Sequence, residues 1–285
     1  MRFGISLLRT RPEMWPDVVQ AAEELGFESV WISDHLVLPT ALDQEAYPDG
    51  MLPINPTTPI FDVMVHLAAF ASTTSRLRLG TYVYQAALRH PFVVARAVAT
   101  LDIVSAGRFE FGVGTGWSRA EWQAAGVPWS GRGARLDETL DVLRGLWTQP
   151  KFSHEGQNYS FPMVAFEPKP VQRPGPPVLV GGESDAALRR AVRRGDGWIG
   201  MHHTPESAQE PLARLRTELE RAGRNTPVTT TVAAHPGVAD MAGWEMSGVD
   251  RVIVAPWQRW RDALDGMARF ADEHLTQHSS PGHLP

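Results

Sequence analysis

The sequence predicts an α/β protein: a single-domain (β/α)8 barrel, the TIM-barrel architecture, with insertions after strand two and after the helix that follows strand four. Three observations predict it. Eight short apolar runs alternate with segments of helical periodicity, the pattern of a parallel sheet closed on itself, with an open doubly wound sheet as the alternative. The 285 residues, 43% of them hydrophobic, suffice for one large core and are few for two domains. The stretch Glu28–Leu36 (ESVWISDHL) passes from an apolar strand directly into Asp34 and His35, and a barrel keeps its chemistry at the C-terminal ends of its strands.

Taken in order, Arg2–Leu8 alternates and then runs apolar, which predicts strand one. Pro12–Leu25 places Trp15, Val18, Val19, Ala22 and Leu25 at helical spacing, and Gly26 suits the helix stop. Ser29–Ser33 is strand two. Residues 37–58 are rich in Pro, Asp and Gly without periodicity and predict a long loop over the barrel mouth. Thr58-Pro59 reads as a cap and first turn of a helix running to about Ser72. Leu77–Tyr84 is strand three, Pro91 opens a helix that stops near Gly107, and Arg108–Val113 is strand four. The turn Gly114-Thr115-Gly116-Trp117 leads into a polar helix, then into Gly131–Trp147 with Leu136, Leu140, Leu143 and Trp147 on one face.

Residues 148–177 break the rhythm with many prolines and predict an inserted hairpin, extended at Asn158–Phe161 and Ala165–Pro168. Strands five to eight are Val178–Val180, Gly197–Met201, Val228–Ala234 and Arg251–Ala255. The helices between and after them are Ser184–Arg194, a helix from the Thr204-Pro205 cap to Arg221, a short Val238–Met246 and a final Trp257–His274.

Composition narrows the function. A net charge of -5 with a pI near 6.1 opposes a nucleic-acid or anionic-membrane partner. No cysteine is present, which excludes disulfides, thiolate-bound metals and thiol catalysis. No signal peptide or membrane-length apolar run is visible, so a cytoplasmic location is expected.

Four groups of residues could carry chemistry. Asp34 can accept hydrogen bonds and His35 can move a proton near neutral pH, unless the aspartate is a mere cap and the histidine fills a turn. Gly114, Thr115 and Gly116 let backbone approach a flat ligand, with Trp117 beside it, or form an ordinary turn. Gly181-Gly182-Glu183-Ser184 opens a helix and suits a phosphate, or is a tight turn capped by Ser184; Arg189, Arg190, Arg193 and Arg194 beyond it read mainly as a solvated face. His202, His203 and His235 reach the mouth with His35 and could ligate a metal, though no H-x-H or H-E-x-x-H spacing supports a hydrolase site.

Together, GFESVWISDHL (26–36), RLRLGTYVYQAALRHP (76–91), LDIVSAGRFEFGVGTGWSRAEW (101–122), GRGARLDETLDVLRGLW (131–147), FEPKPVQRPGPPVLVGGES (166–184) and GDGWIG (195–200) resemble the luciferase-like flavin oxidoreductases, in particular the branch that uses the deazaflavin coenzyme F420. The resemblance implies the flavin-like ring in the barrel mouth. It implies Asp34 contacting the ring, His35 beside the reacting ring carbon, and a non-prolyl cis peptide between Tyr82 and Val83 backing the ring. It places Thr115 and Gly116 along the ring and ribityl chain and gives the phosphate to the N–H groups of Gly181 and Gly182. Relatives that act on sugar phosphates carry an acid directly after the GTG turn and a tryptophan shortly after Asp-His; here these places hold Trp117 and Pro39, which leaves His35 as the implied proton carrier.

The activity implied is hydride transfer between F420 and a small organic substrate. The alternatives are an FMN-dependent monooxygenase of the same family, a flavin-binding protein without turnover and, from another class, a metal-dependent barrel hydrolase. A homodimer is common among relatives of this kind.

Overall fold

Eight parallel strands close into a barrel in the computed structural model, which describes residues 1–40, 54–235 and 240–275. They are β1 (Arg2–Ser6), β2 (Ser29–Ile32), β3 (Arg78–Thr81), β4 (Phe109–Val113), β7 (Val178–Gly181), β8 (Gly197–His203), β9 (Thr229–Ala234) and β10 (Arg251–Val254); β5 (Phe152–Glu155) and β6 (Ser160–Val164) form a separate antiparallel pair. The barrel runs β1-β10-β9-β8-β7-β4-β3-β2, and closure comes from pairing of β1 with β10, Arg2 beside Arg251. The helices are α1 (Trp15–Leu25), α2 (Val63–Thr73), α3 (Pro91–Val104), α4 (Arg119–Ala124), α5 (Arg132–Thr148), α6 (Asp185–Arg194), α7 (Gln209–Arg221), α8 (Met241–Ser247) and α9 (Ala263–His274). Among the described residues no helix is long and apolar enough to cross a membrane.

Period-two alternation gives each strand two different faces. Phe3 and Ile5, Val30 and Ile32, Phe109, Phe111 and Val113, and Val252 and Val254 are buried in the apolar layer shared with the helices. The opposite faces fill the barrel. Trp31, Leu179, Ile199, Ala233 and Ile253 form one buried cluster with Tyr82. Trp31 crosses this space, which is why two neighbouring strands carry glycine. A Cβ on Gly80 would lie 2.3 Å from the indole ring, and one on Gly4 2.7 Å from its Nε1. The indole N–H donates to Ser29 Oγ at 2.8 Å.

Below Trp31 the filling is ionic. Arg251 is 1% exposed, and its guanidinium lies 5.1 Å from the Trp31 ring. It donates to both oxygens of Glu110 at 2.8 and 2.7 Å and to both oxygens of Glu28 at 2.7 Å. Arg78 donates to Glu110 at 2.5 Å. Burial pushes the Glu110 carboxyl up, but the two arginines outweigh it and hold its pKa below the usual range.

Several boundaries differ from those predicted. The helix expected from Thr58-Pro59 begins at Val63, because the Asp62 carboxylate caps it by accepting from the N–H groups of Met64 and Val65, while Asn55–Thr58 close a turn of their own. The helix expected from Thr204 begins at Gln209; Thr204 and Ser207 bond each other's backbone instead. The last helix starts at Ala263, not Trp257, after a 3-10 turn at Trp260–Asp262. The first strand stops at Ser6 because Leu7–Arg9 turns into a 3-10 helix.

The insertion after α5 is the expected hairpin, but its strands are β5 and β6, and Ala165–Pro168 pairs with nothing. Glu138 on α5 pins the hairpin's turn by accepting from the N–H groups of Asn158 and Tyr159. Most of the insertion predicted at 37–58 lies outside the described residues. Arg190 and Arg194, read as a solvated face, tie α6 to α5 through Asp137 and Asp141.

Arg251 bridges two carboxylates, and its loss leaves the buried Glu110 with Arg78 alone. Arg251→Ala is expected to lower the unfolding free energy by about 3–5 kcal/mol, measured by urea denaturation. The Glu110 pKa is depressed by folding, so its contribution is full above the unfolded value of 4.5 and is lost as the pH falls toward the folded value. Glu110→Gln should flatten that part of the acid unfolding curve.

Candidate active site

The C-terminal ends of the barrel strands enclose a cavity of about 260 Å³. Asp34, His35, Tyr82, Val83, Thr115, Gly116, Trp117, Gly181 and Gly182, all singled out from the sequence, line it together. They come from the ends of β2, β3, β4 and β7, so four separate strand ends converge on one space. His35, Thr115 and Gly181 share this cavity.

Asp34 is buried at 3% exposure, and both carboxylate oxygens are engaged within the protein. Arg89 grips it with two bonds of 2.7 and 2.8 Å, and the Gln85 N–H donates to it at 3.0 Å. Burial pushes the Arg89 pKa down, but the paired Asp34 carboxylate outweighs it and holds it up, so the guanidinium stays charged. The carboxylate is therefore bound to protein groups, and the residue meets the cavity as part of its wall.

His35 has a different partner. Its Nδ1 lies 2.8 Å from Oε2 of Glu121, a fully buried residue on α4. The other carboxylate oxygen of Glu121 accepts from the Leu36 N–H at 2.6 Å. Burial raises the Glu121 pKa, but the bonds from His35, Gln85 and Leu36 outweigh it and hold it below the usual range. An ionised carboxylate can only accept, so Nδ1 carries the hydrogen and Nε2 is the ring nitrogen left to accept. Trp117 packs edge-on against the imidazole, ring centres 5.8 Å apart.

Gln85 joins the two units. Its side-chain NH2 group donates to Glu121 Oε2 at 3.0 Å and to the Asp34 carbonyl at 3.3 Å. Both partners are acceptors only, so the amide orientation is settled. Its Oε1 is buried and has no partner among the described residues.

The walls show why glycine recurs. The Tyr82–Val83 peptide is cis. Val83 then sits between two strand ends: a Cβ on Gly114 would lie 2.6 Å from the Val83 side chain, and one on Gly181 2.8 Å from it. Gly116 has φ +69°, and a Cβ there would lie within 2.1 Å of Gln85 Oε1. Gly182 has φ +118°, its carbonyl accepts from the Trp198 indole at 2.9 Å, and Ser184 caps α6. Thr115 is held by its carbonyl, which accepts from the Trp122 indole at 3.0 Å.

The rim histidines do not converge. His203 faces Ser207 and Glu183, and His90 caps α3. Among the described residues no three His, Asp or Glu side chains are grouped as metal ligands.

Glu121, Gln85 and Arg89 were not singled out from the sequence. Glu121 follows Ser118 in the Ser-x-x-Glu pattern of a helix start, and Ser118 does cap α4 by accepting from the Glu121 N–H. In that pattern the glutamate turns back to its own cap. Here it reaches the strand end 86 residues earlier, and no local pattern signals that.

The residues that could hold a flavin-like ring are those that keep the cavity flat and open: the glycines at 114, 116, 181 and 182 and the unpaired acceptor of Gln85. Comparison with known proteins fits this geometry. An F420-dependent glucose-6-phosphate dehydrogenase of Nakamurella multipartita is 34% identical over 232 residues, 79% of this chain and 63% of that one. A monooxygenase from Streptomyces bottropensis superposes with a TM-score of 0.79 at 22% identity, covering 98% of this chain and all of that one. An F420-dependent secondary alcohol dehydrogenase solved with an F420–acetone adduct superposes at 0.77 with 17% identity, covering 95% and 97%. The profile of the luciferase-like monooxygenase family matches residues 1–274, and the chain belongs to that family.

Proposed function

We propose that this protein is an F420-dependent oxidoreductase acting on a small organic molecule, with His35 as its proton carrier. That it is a flavin- or deazaflavin-dependent oxidoreductase follows from its relatives. The choice of F420 rests on the 34% identical relative and on the S-D-H-L sequence at the end of β2. The observation that carries the reading is the single cavity that joins His35 to the glycine-lined strand ends.

When bound, the deazaflavin supplies hydride transfer, because its ring lacks the nitrogen that supports oxygen chemistry. The chain does the rest. Gly181 and Gly182 would take the phosphate through backbone N–H groups, with no Cβ in the way. Gln85 Oε1 would accept from a ring N–H, which answers its unpaired burial. Thr115 and Gly116 would line the ring, with the bulge at Tyr82 and Val83 behind it. Asp34 would act indirectly, since its bond to Arg89 fixes the strand end that carries His35.

His35 Nε2 would take or give the proton that accompanies the hydride. Glu121 keeps the imidazole in the tautomer with hydrogen on Nδ1 and balances the charge when the ring becomes cationic.

Binding is the direct test. Apo-protein titrated with oxidised F420 should bind at micromolar concentration; absence of binding, or purification as a yellow protein with the FMN spectrum, would overturn the F420 assignment. His35→Ala should leave F420 affinity within a few-fold and lower kcat by about 10²–10⁴-fold. Glu121→Gln should cost about 10–100-fold. In that variant ¹⁵N NMR of His35 should show a mixture of ring tautomers where the unsubstituted protein shows one.

A further inference from the structure

The walls of the same cavity narrow the substrate, granted that it is the redox site proposed above. Among the described residues no lysine or arginine lines it. Its outer part is built from Leu8, Trp15, Ile60, Phe61, Trp117 and Met201. Trp15 and Phe61 meet edge-to-face with ring centres 6.0 Å apart, and His66 closes that group against both rings at 5.0 Å.

The charged groups that do touch the cavity are already spent. Asp34 is bound through both oxygens to Arg89. His35 is bound to the Glu121 carboxylate. Neither leaves a cation for a ligand anion to pair with. Arg9 and Arg11 lie between the lining residues Leu8, Thr10 and Pro12, but both are exposed, and Arg11 stacks on Trp260 at 4.2 Å.

The sequence closes the remaining route. Between Arg11 and Arg76 there is no lysine or arginine. That stretch supplies Trp15, Asp34, His35, Ile60 and Phe61 to the cavity, and no lysine or arginine. A phosphate or carboxylate buried against this aromatic wall, away from the N–H groups of Gly181 and Gly182, would lose its water and gain no cation.

We infer that the substrate is an uncharged, mainly apolar molecule with one or two hydrogen-bonding groups, and that phosphate esters and carboxylates are excluded. Its polar contacts would come from His35 and from other polar lining residues such as Ser33 and Thr115, and the aromatic wall supplies the rest of the affinity. In this the protein departs from its 34% identical relative, whose name specifies a sugar phosphate.

A matched pair of probes tests this by calorimetry: 2-naphthol and 2-naphthyl phosphate, titrated into the F420-saturated protein and into the protein alone. In the F420-saturated protein, where the cofactor's own phosphate fills the site at Gly181 and Gly182, the neutral probe should bind at least about tenfold more tightly than the phosphate; phosphate binding by the protein alone that F420 displaces reports that cofactor site. Equal or tighter binding of the phosphate to the F420-saturated protein, or no binding of 2-naphthol, would overturn the inference. Phe61→Arg, at a half-exposed wall position, should shrink the preference by about tenfold, whereas Phe61→Leu should keep it. Failure of the F420 reading would appear separately, as absence of F420 binding with 2-naphthol still bound by the protein alone.

Discussion

Closing a parallel sheet on itself creates an interior that must be filled, and the filling of this barrel shapes everything above it. Arg251 occupies the lower part, satisfied by Glu110 and Glu28 from two other strands' ends, and Trp31 lies over it. A guanidinium this deep is tolerated because every charge around it is paired. Gly4 and Gly80 exist to admit the indole. With the lower and middle layers full, space remains only at the C-terminal end, where the strands release Asp34, Tyr82, Thr115 and Gly181 into one cavity.

The same rule, that a buried charge needs a partner, organises the mouth. Arg89 answers Asp34, and Glu121 answers His35. Gln85 bonds across both pairs. These contacts join the segments after β2, β3 and β4 without using the space between them. The outcome is a cavity whose carboxylate and imidazole are each held by a protein partner, with one unpaired acceptor, Gln85 Oε1, among the described residues.

Glycine does two separate jobs here. At Gly4 and Gly80 it makes room for a side chain from the next strand. At Gly114 and Gly181 it makes room for Val83, and at Gly116 for the Gln85 amide. Of the four glycines that line the cavity, Gly116 and Gly182 take positive φ. The packing around Gly4, Gly80, Gly114, Gly116 and Gly181 leaves no room for a larger side chain.

The strand count, the helix faces, the barrel and the strand ends that matter could all be read from the chain, because periodicity and glycine placement are local properties that survive in one dimension. So could His35, Thr115, Trp117 and the pair Gly181 and Gly182, since each follows directly on a strand. Helix starts were read less well: Thr58-Pro59 and Thr204-Pro205 look like caps, yet Asp62 and the Thr204–Ser207 turn take those roles through hydrogen bonds that pattern does not rank. The partners were beyond reach altogether. Glu121 meets His35 across 86 residues and Arg251 meets Glu110 across 141. Such pairs form only when the sheet closes and brings distant segments within hydrogen-bond range, so the chain alone supplied the reactive groups, and folding in three dimensions chose which charges would hold them.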